Sequence, residues 1–100
     1  MAKRLDTWSQ AEIQVAVEAY ILMLRIQQAG LPLNKLAVRN MFLPQLGRKR
    51  SAKSWDYRMC NISALLVDLG LPYVKGFKPL PNVGVNVRRE ISRALIRALV

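Results

Sequence analysis

The chain has 100 residues, carries 16 Lys+Arg against 6 Asp+Glu for a formal net charge of +10, and contains no histidine and one cysteine. That length corresponds to a single domain, 1–100, and an apolar content of 52% is typical of a folded chain and not of a disordered basic tail. The lack of histidine excludes Ser-His-Asp and Cys-His catalysis, His-ligated zinc and HNH-type nuclease centres, and the lone Cys60 excludes an internal disulfide and a Cys-rich metal site. We therefore expect no enzyme activity, no catalytic residue, no metal and no cofactor.

The excess of cations is confined to the later part of the chain. Three cations balance three acids in residues 1–30, so residues 31–100 carry the whole +10. A folded chain with a pI near 10.7 favours a polyanionic partner, which is nucleic acid first and an anionic membrane surface second. No apolar run is long enough for a signal peptide or a membrane span, so we expect a cytoplasmic protein, nucleoid-associated in a bacterium, with no membrane partner.

The first predicted helix has the clearest boundaries. Ser9 and Glu12 have the spacing of a capping box, and Trp8 precedes the cap, where it can pack on the first turns. The helix is expected to run to Ala29 and to end at Gly30. Apolar residues cover most of its girth, which predicts a central helix that others pack against on several sides.

A second helix is predicted to begin after the N-cap residue Asn34 and to end or break at Pro44. Its expected core residues are Leu36, Met41, Phe42 and Leu46. The basic turn, residues 47–50, follows it.

Ser51 is the predicted N-cap of a third helix that ends at Gly70. Steps of three or four residues give this helix one apolar stripe, formed by Trp55, Met59, Ile62, Leu66 and Leu69. Residues 71–84, called the arm from here on, are rich in proline and glycine, and we expect an ordered loop there and not a sheet.

A fourth helix is predicted from about Asn86. Its apolar side comprises Val87, Ile91, Ala94, Leu95, Ala98 and Leu99, and its basic side comprises Arg88, Arg89, Arg93 and Arg97. The predicted fold is therefore an all-α compact bundle of four main helices, with a core within about residues 8–99 and the arm before the last helix.

The first three helices, of which the last two are joined by the basic turn, predict a tri-helical, helix-turn-helix-like core. The turn Leu46-Gly47-Arg48 is distantly similar to the one that leads into the recognition helix of Myb/SANT domains. A helix N-terminus offers free amides and a positive dipole end to a phosphate. These features favour DNA binding, and the candidate DNA-binding residues are Arg48, Lys49, Arg50, Ser51, Lys53, Ser54, Tyr57, Arg58, Asn61, Lys75, Lys78, Arg88 and Arg89.

Other conspicuous residues have simpler interpretations. Cys60 is expected to be a half-buried packing residue and not a reactive thiol, and Trp8 and Trp55 are expected to be core anchors and not base-stacking groups. For Tyr73 and Phe77, stacking on bases and packing against the first and third helices both stay open.

Several blocks spread over about residues 8–95 form a wider pattern: Trp8-Ser9-x-x-Glu12, Asn61-Ile62-Ser63-Ala64 and Tyr73-Val74-x-Gly76-Phe77-Lys78-Pro79. This pattern resembles the N-terminal helical head domain of McrA-type, modification-dependent HNH restriction endonucleases and related defence proteins. The resemblance implies a DNA-associated head domain in a restriction-modification, phage-defence or mobile-element system. In that family the cutting centre belongs to a separate, His-containing domain. The run Arg48-Lys49-Arg50 departs from the single arginine usual there, which implies stronger phosphate binding and leaves base readout open.

Two other functions stay open. The chain could serve as a protein–protein interaction module, either a homodimer or a subunit that recruits a nuclease, with its charge directed at an acidic partner. It could also bind RNA in a ribonucleoprotein. Preference for duplex DNA over structured RNA, and competition between a protein partner and DNA, distinguish these functions.

Overall fold

The computed structural model describes residues 8–47 and 49–100. Helix α1 spans Gln10–Gln28, α2 spans Lys35–Phe42, α3 spans Ala52–Asp68 and α4 spans Val85–Leu99, and a 3₁₀ turn, Leu43–Leu46, directly follows α2. No strand occurs in this part of the chain, and residues 71–84 form an ordered loop. The predicted all-α bundle of four helices is confirmed.

The helix ends lie where the local sequence predicts them. The Ser9 hydroxyl accepts from the Glu12 amide and the Glu12 carboxylate accepts from the Ser9 amide, which completes the capping box of α1. Asn34 and Ser51 cap α2 and α3 in the same way, by accepting a backbone N–H from the first turn. Such caps satisfy amides that would otherwise lack an intrahelical partner, so they fix where each helix begins.

Helix α1 is the central element of the bundle. Helices α2, α3 and α4 all pack against it, α3 also contacts α4, and direct contact between α2 and α3 is slight. Arg97 of α4 donates to Gln14 near the start of α1, whereas Arg88 of α4 pairs with Asp68 at the end of α3. Helix α4 therefore runs in the direction opposite to α1 and α3. Among the described residues, no helix is long and apolar enough to cross a membrane.

The core follows the predicted stripes of α1, α3 and α4, with corrections in α2 and at two helix ends. Trp8 and Trp55 are buried, so their predicted role as core anchors is confirmed. In α2, Val38 is buried, whereas Leu36 and Met41 are exposed and the prediction that they are core is wrong. Val38 and Phe42 are one helical turn apart and face α1, which turns the other two residues outward. The stripe positions Leu69 and Leu99 are also exposed, because each lies at or beyond the last turn of its helix.

The arm packs onto α1 and α2 through its apolar side chains. Val74 and Phe77 are buried, and the Phe77 ring lies 6.2 Å from the Tyr20 ring and beneath the Lys35 ammonium at 5.4 Å. Phe77 is therefore a packing residue and not an exposed stacking group. Gly76 has a φ of 96°, a left-handed conformation that favours glycine, and the end of the Lys35 side chain lies against it.

Candidate nucleic-acid interface

A buried ionic cluster joins the start of α1 to Arg50, two residues before the first residue of α3. Arg50 donates from Nε to Glu12 Oε2 at 2.7 Å and from Nη2 to Glu12 Oε1 at 2.9 Å. The two side chains are only 5% and 1% exposed. The Arg50 guanidinium also lies 5.0 Å from the centre of the Trp8 ring. This bidentate, stacked geometry holds the end of the basic turn against the N-terminus of α1.

A second arginine extends the cluster toward the arm. The Arg58 guanidinium lies 5.2 Å from the Trp8 ring centre and donates to Asn61 Oδ1 at 2.9 Å. Asn61 in turn donates from Nδ2 to the Leu80 carbonyl at 2.7 Å. The network therefore connects the start of α1, the first half of α3 and the arm through buried side chains.

The charge state of Glu12 is fixed by this cluster. Burial alone would raise the pKa of its carboxyl group, but the Arg50 hydrogen bonds, the Ser9 amide and the Arg50 charge together lower that pKa below its ordinary value. Glu12 therefore stays ionised at neutral pH, as the ion pair requires.

These contacts correct three of the predicted DNA-binding residues. The sequence placed Arg50, Arg58 and Asn61 on a contact surface, and the structure places all three side chains in the interior. Each is held there by a specific partner in the ionic cluster. In this conformation they position other residues and do not present groups to a ligand.

The burial of these residues also means that little of α3 is accessible for the predicted role of recognition helix. Its middle turns are buried, and the outward side of its first half is partly covered by the arm. The Leu80 amide donates to the Cys60 carbonyl at 3.0 Å, and the Tyr57 hydroxyl donates to the Asn82 carbonyl at 2.9 Å. Cys60 is half-buried, as expected, and burial followed by the Asp56 charge raises the pKa of its thiol.

What remains accessible near the basic turn is the beginning of α3. Lys49 and Lys53 are exposed, and neither forms a salt bridge within residues 8–47 and 49–100. Ser51 is exposed and uses its hydroxyl to cap the Ser54 amide at 3.0 Å. Arg48, which the sequence analysis also assigned to DNA binding, lies outside the described residues.

The other predicted residues lie on the arm and on α4. Lys75 and Lys78 are exposed, and the Lys75 amide donates to Gln27 Oε1 at 2.8 Å. Arg88 pairs with Asp68 at 2.8 Å, and Arg89 is exposed with a 3.4 Å contact to its neighbour Asn86.

The structure does not gather these cations into one site. The basic turn is anchored at Glu12 near the start of α1, whereas the arm is anchored at Gln27 near its end. At a rise of about 1.5 Å per residue, these anchor points are roughly 22 Å apart along α1. The turn and the arm are therefore two separate cationic regions.

Helix α2 lies between these two regions, and none of the predicted DNA-binding residues belongs to its outward face. Its first residue Lys35 packs against Gly76 and Phe77 of the arm, and the 3₁₀ turn at its other end leads into the basic turn. Arg39 adds a further cation. The sequence does contain one indication that the surroundings of α2 are cationic, because no Asp or Glu occurs between Glu18 and Asp56.

No family model, no curated protein and no solved structure matches this chain.

Proposed function

We propose that this chain is a DNA-binding protein that contacts the phosphates of duplex DNA through the exposed start of α3. The observation that carries the proposal is the pair Lys49 and Lys53, which flank an exposed helix N-terminus and form no salt bridge within the described ranges. A helix N-terminus adds amide donors and a positive dipole end to those two charges.

The distribution of acids supports a polyanionic partner. Of the described acids, Glu12, Asp68 and Glu90 are each occupied by an arginine. The lysines of the basic turn, of α3 and of the arm are left without such neutralisation. The net charge of +10 thus remains available for long-range attraction of a phosphate backbone.

The test is fluorescence anisotropy with a random duplex, a single strand and a structured RNA, each at several salt concentrations. We expect tightest binding to the duplex and a steep loss of affinity with salt. The double substitution Lys49→Ala/Lys53→Ala should reduce the slope of log K against log[salt] by roughly two, which is about one ion per lost phosphate contact.

The matched control is the double substitution Arg25→Ala/Arg97→Ala, at two exposed arginines that are not assigned to the DNA surface. It removes the same two charges from elsewhere in the described chain, where neither arginine has a salt bridge. An equal fall in slope for both doubles would mean that only net charge matters, and the site at the start of α3 would be abandoned. Preference for the structured RNA would replace DNA by RNA as the ligand.

A protein partner is the second candidate function, and one observation favours it. Leu31, Leu69 and Leu71 are exposed just beyond the ends of α1 and α3. Weak binding to all three nucleic acids would direct attention to these leucines as an adaptor or homodimer surface. Membership of a defence or restriction system stays a prediction from the resemblance described above.

A further inference from the structure

Helix α2 has an outward face that no described element covers. Leu36 is 55% exposed and Met41 is 60% exposed, and Ala37 and Asn40 are also exposed. At about 100° per residue these four positions occupy one continuous arc of roughly 140°. The opposite side, with Val38 and Phe42, packs toward α1.

The charges around this face are of one sign. Arg39 lies at the edge of the arc, Lys35 precedes it at the start of α2, and Lys49 lines a cleft with Leu43 and Pro44 just beyond its end. Since no acid occurs between Glu18 and Asp56, the occupant of this face should be anionic. A symmetric second copy is disfavoured because it would place these cations opposite their own equivalents.

The other helices are less suited to this role. The arm covers part of the outward side of α3 by way of Tyr57 and Cys60. On α4, the outward arginines are interspersed with Glu90, which pairs with Arg93. Helix α2 is therefore the described helix whose uncovered face is flanked by cations alone.

We propose that α2 enters the major groove of duplex DNA, with Asn40 and Met41 directed at base edges and Arg39 directed at a phosphate. This inference rests on the proposed function and assigns the groove-binding element to it. With its side chains a helix is about 10–12 Å in diameter, which fits the major groove's width of about 12 Å, and the eight residues of α2 give it a length of about 12 Å. The basic turn and the arm, at opposite ends of α2, then reach the phosphates on either side.

The face also has the chemistry of base readout. An asparagine amide can pair with the adenine edge in the major groove, and apolar side chains can contact the thymine methyl group. Leu36 and Met41, which are exposed to solvent in the unbound protein, can supply these apolar contacts. The phosphate contacts at the start of α3 carry no such sequence information.

The discriminating experiment compares Met41→Glu with Leu69→Glu by duplex anisotropy. The two residues are similarly exposed, at 60% and 58%, and both substitutions add one negative charge. We expect Met41→Glu to weaken duplex binding at least ten-fold more than Leu69→Glu, since only the former would place a carboxylate in the groove. Equal weakening by the two would overturn the assignment of α2.

Two asparagine substitutions, which do not change the net charge, keep the test valid if a glutamate variant fails to fold. The duplex for this comparison is an adenine-containing site selected from random sequences by binding to the wild-type protein. Asn40→Ala should weaken binding to that site roughly ten-fold. Asn86→Ala, which changes an exposed asparagine on α4, should leave the affinity unchanged. No difference between Asn40→Ala and Asn86→Ala would contradict base contact by α2.

Competition identifies the groove directly. Methyl green, a major-groove ligand, should displace the wild-type protein from the duplex, and distamycin, a minor-groove ligand, should not. Displacement by distamycin alone would overturn the major-groove assignment while leaving the proposed DNA binding intact. Absence of any duplex binding by the wild-type chain would overturn the proposed function itself, and the inference on α2 with it.

Discussion

Adjacent residues of the basic turn have opposite roles. Lys49 is exposed without a salt bridge among the described groups, whereas Arg50 is buried against Glu12 and Trp8. Charge and position before the N-terminus of α3 led to the prediction that both residues bind a ligand. The difference arises from Glu12, which lies 38 positions away in sequence, so no local pattern around Arg50 could reveal it.

The buried pair gives the fold a pH dependence that can be measured. Glu12→Gln should lower the free energy of unfolding at pH 7 by about 3 kcal/mol, because it leaves the Arg50 charge buried without its counter-ion. The folded-state pKa of Glu12 is lowered, so its contribution is present above the ordinary carboxyl pKa and is lost as pH falls through the folded value. Urea unfolding should therefore show the gap between wild type and variant narrowing as pH falls from 7 to 3.

The control for this prediction is Glu18→Gln, at an exposed glutamate of the same helix that accepts a hydrogen bond from Gln14 and forms no salt bridge among the described residues. It should change stability by no more than about 0.5 kcal/mol. A constant gap between wild type and Glu12→Gln from pH 7 to pH 3 would show that the ionised pair is not what stabilises this junction.

At the scale of elements, the helix boundaries could be predicted because their determinants are local. Ser9, Asn34 and Ser51 cap the amides of their own first turns, and Gly30 and Gly70 adopt the left-handed conformation just past the ends of α1 and α3. The orientation of α2 could not be predicted in this way. An eight-residue helix offers two plausible apolar stripes, and only the distant surface of α1 selects the one with Val38.

The docking of the arm depends on a second distant contact, which can be tested. The Tyr20 hydroxyl accepts from the Val74 amide at 2.9 Å and is hydrogen-bonded to the Ser63 hydroxyl at 2.7 Å. Tyr20→Phe would leave both buried groups without this partner and should destabilise the fold by roughly 1–3 kcal/mol. Hydrogen exchange should show faster opening at Val74.

Tyr73→Phe is the matched control, since the Tyr73 ring is exposed and only its backbone carbonyl makes a described hydrogen bond. It should leave exchange at Val74 unchanged. If Tyr20→Phe also left that exchange rate unaltered, the hydroxyl would not be what fastens the arm to α1.

At the scale of the whole molecule, periodicity and composition were sufficient for the fold class, but not for the site. The helix count and the central position of α1 follow from apolar spacing. The distance between the basic turn and the arm depends on where each packs along α1, and local sequence patterns do not predict these long-range contacts. Of the residues predicted for the candidate surface, Lys49 and Lys53 are exposed, whereas the side chains of Arg50, Arg58 and Asn61 are buried.

The unbalanced charge should make the stability of the whole domain respond to salt. Sixteen cations against six acids repel one another at low ionic strength, and at about 0.1 M salt the screening length falls to roughly 10 Å. Calorimetry should show Tm rising by a few degrees from 10 mM to 300 mM NaCl. The variant Lys75→Gln/Lys78→Gln should show a smaller rise, and a fall in Tm with salt would mean that the surface ion pairs outweigh the repulsion.

The central position of α1 also has a consequence during synthesis on the ribosome. Helix α1 packs most extensively against α4, so the part of its core face that contacts α4 stays uncovered until residues 29–84 and then α4 have been translated. At about 5–20 residues per second, translation of the intervening segment takes roughly 3–11 s. For that interval the apolar side chains of α1 that α4 covers in the folded chain stay exposed, which makes the nascent chain a substrate for chaperones that bind exposed apolar segments.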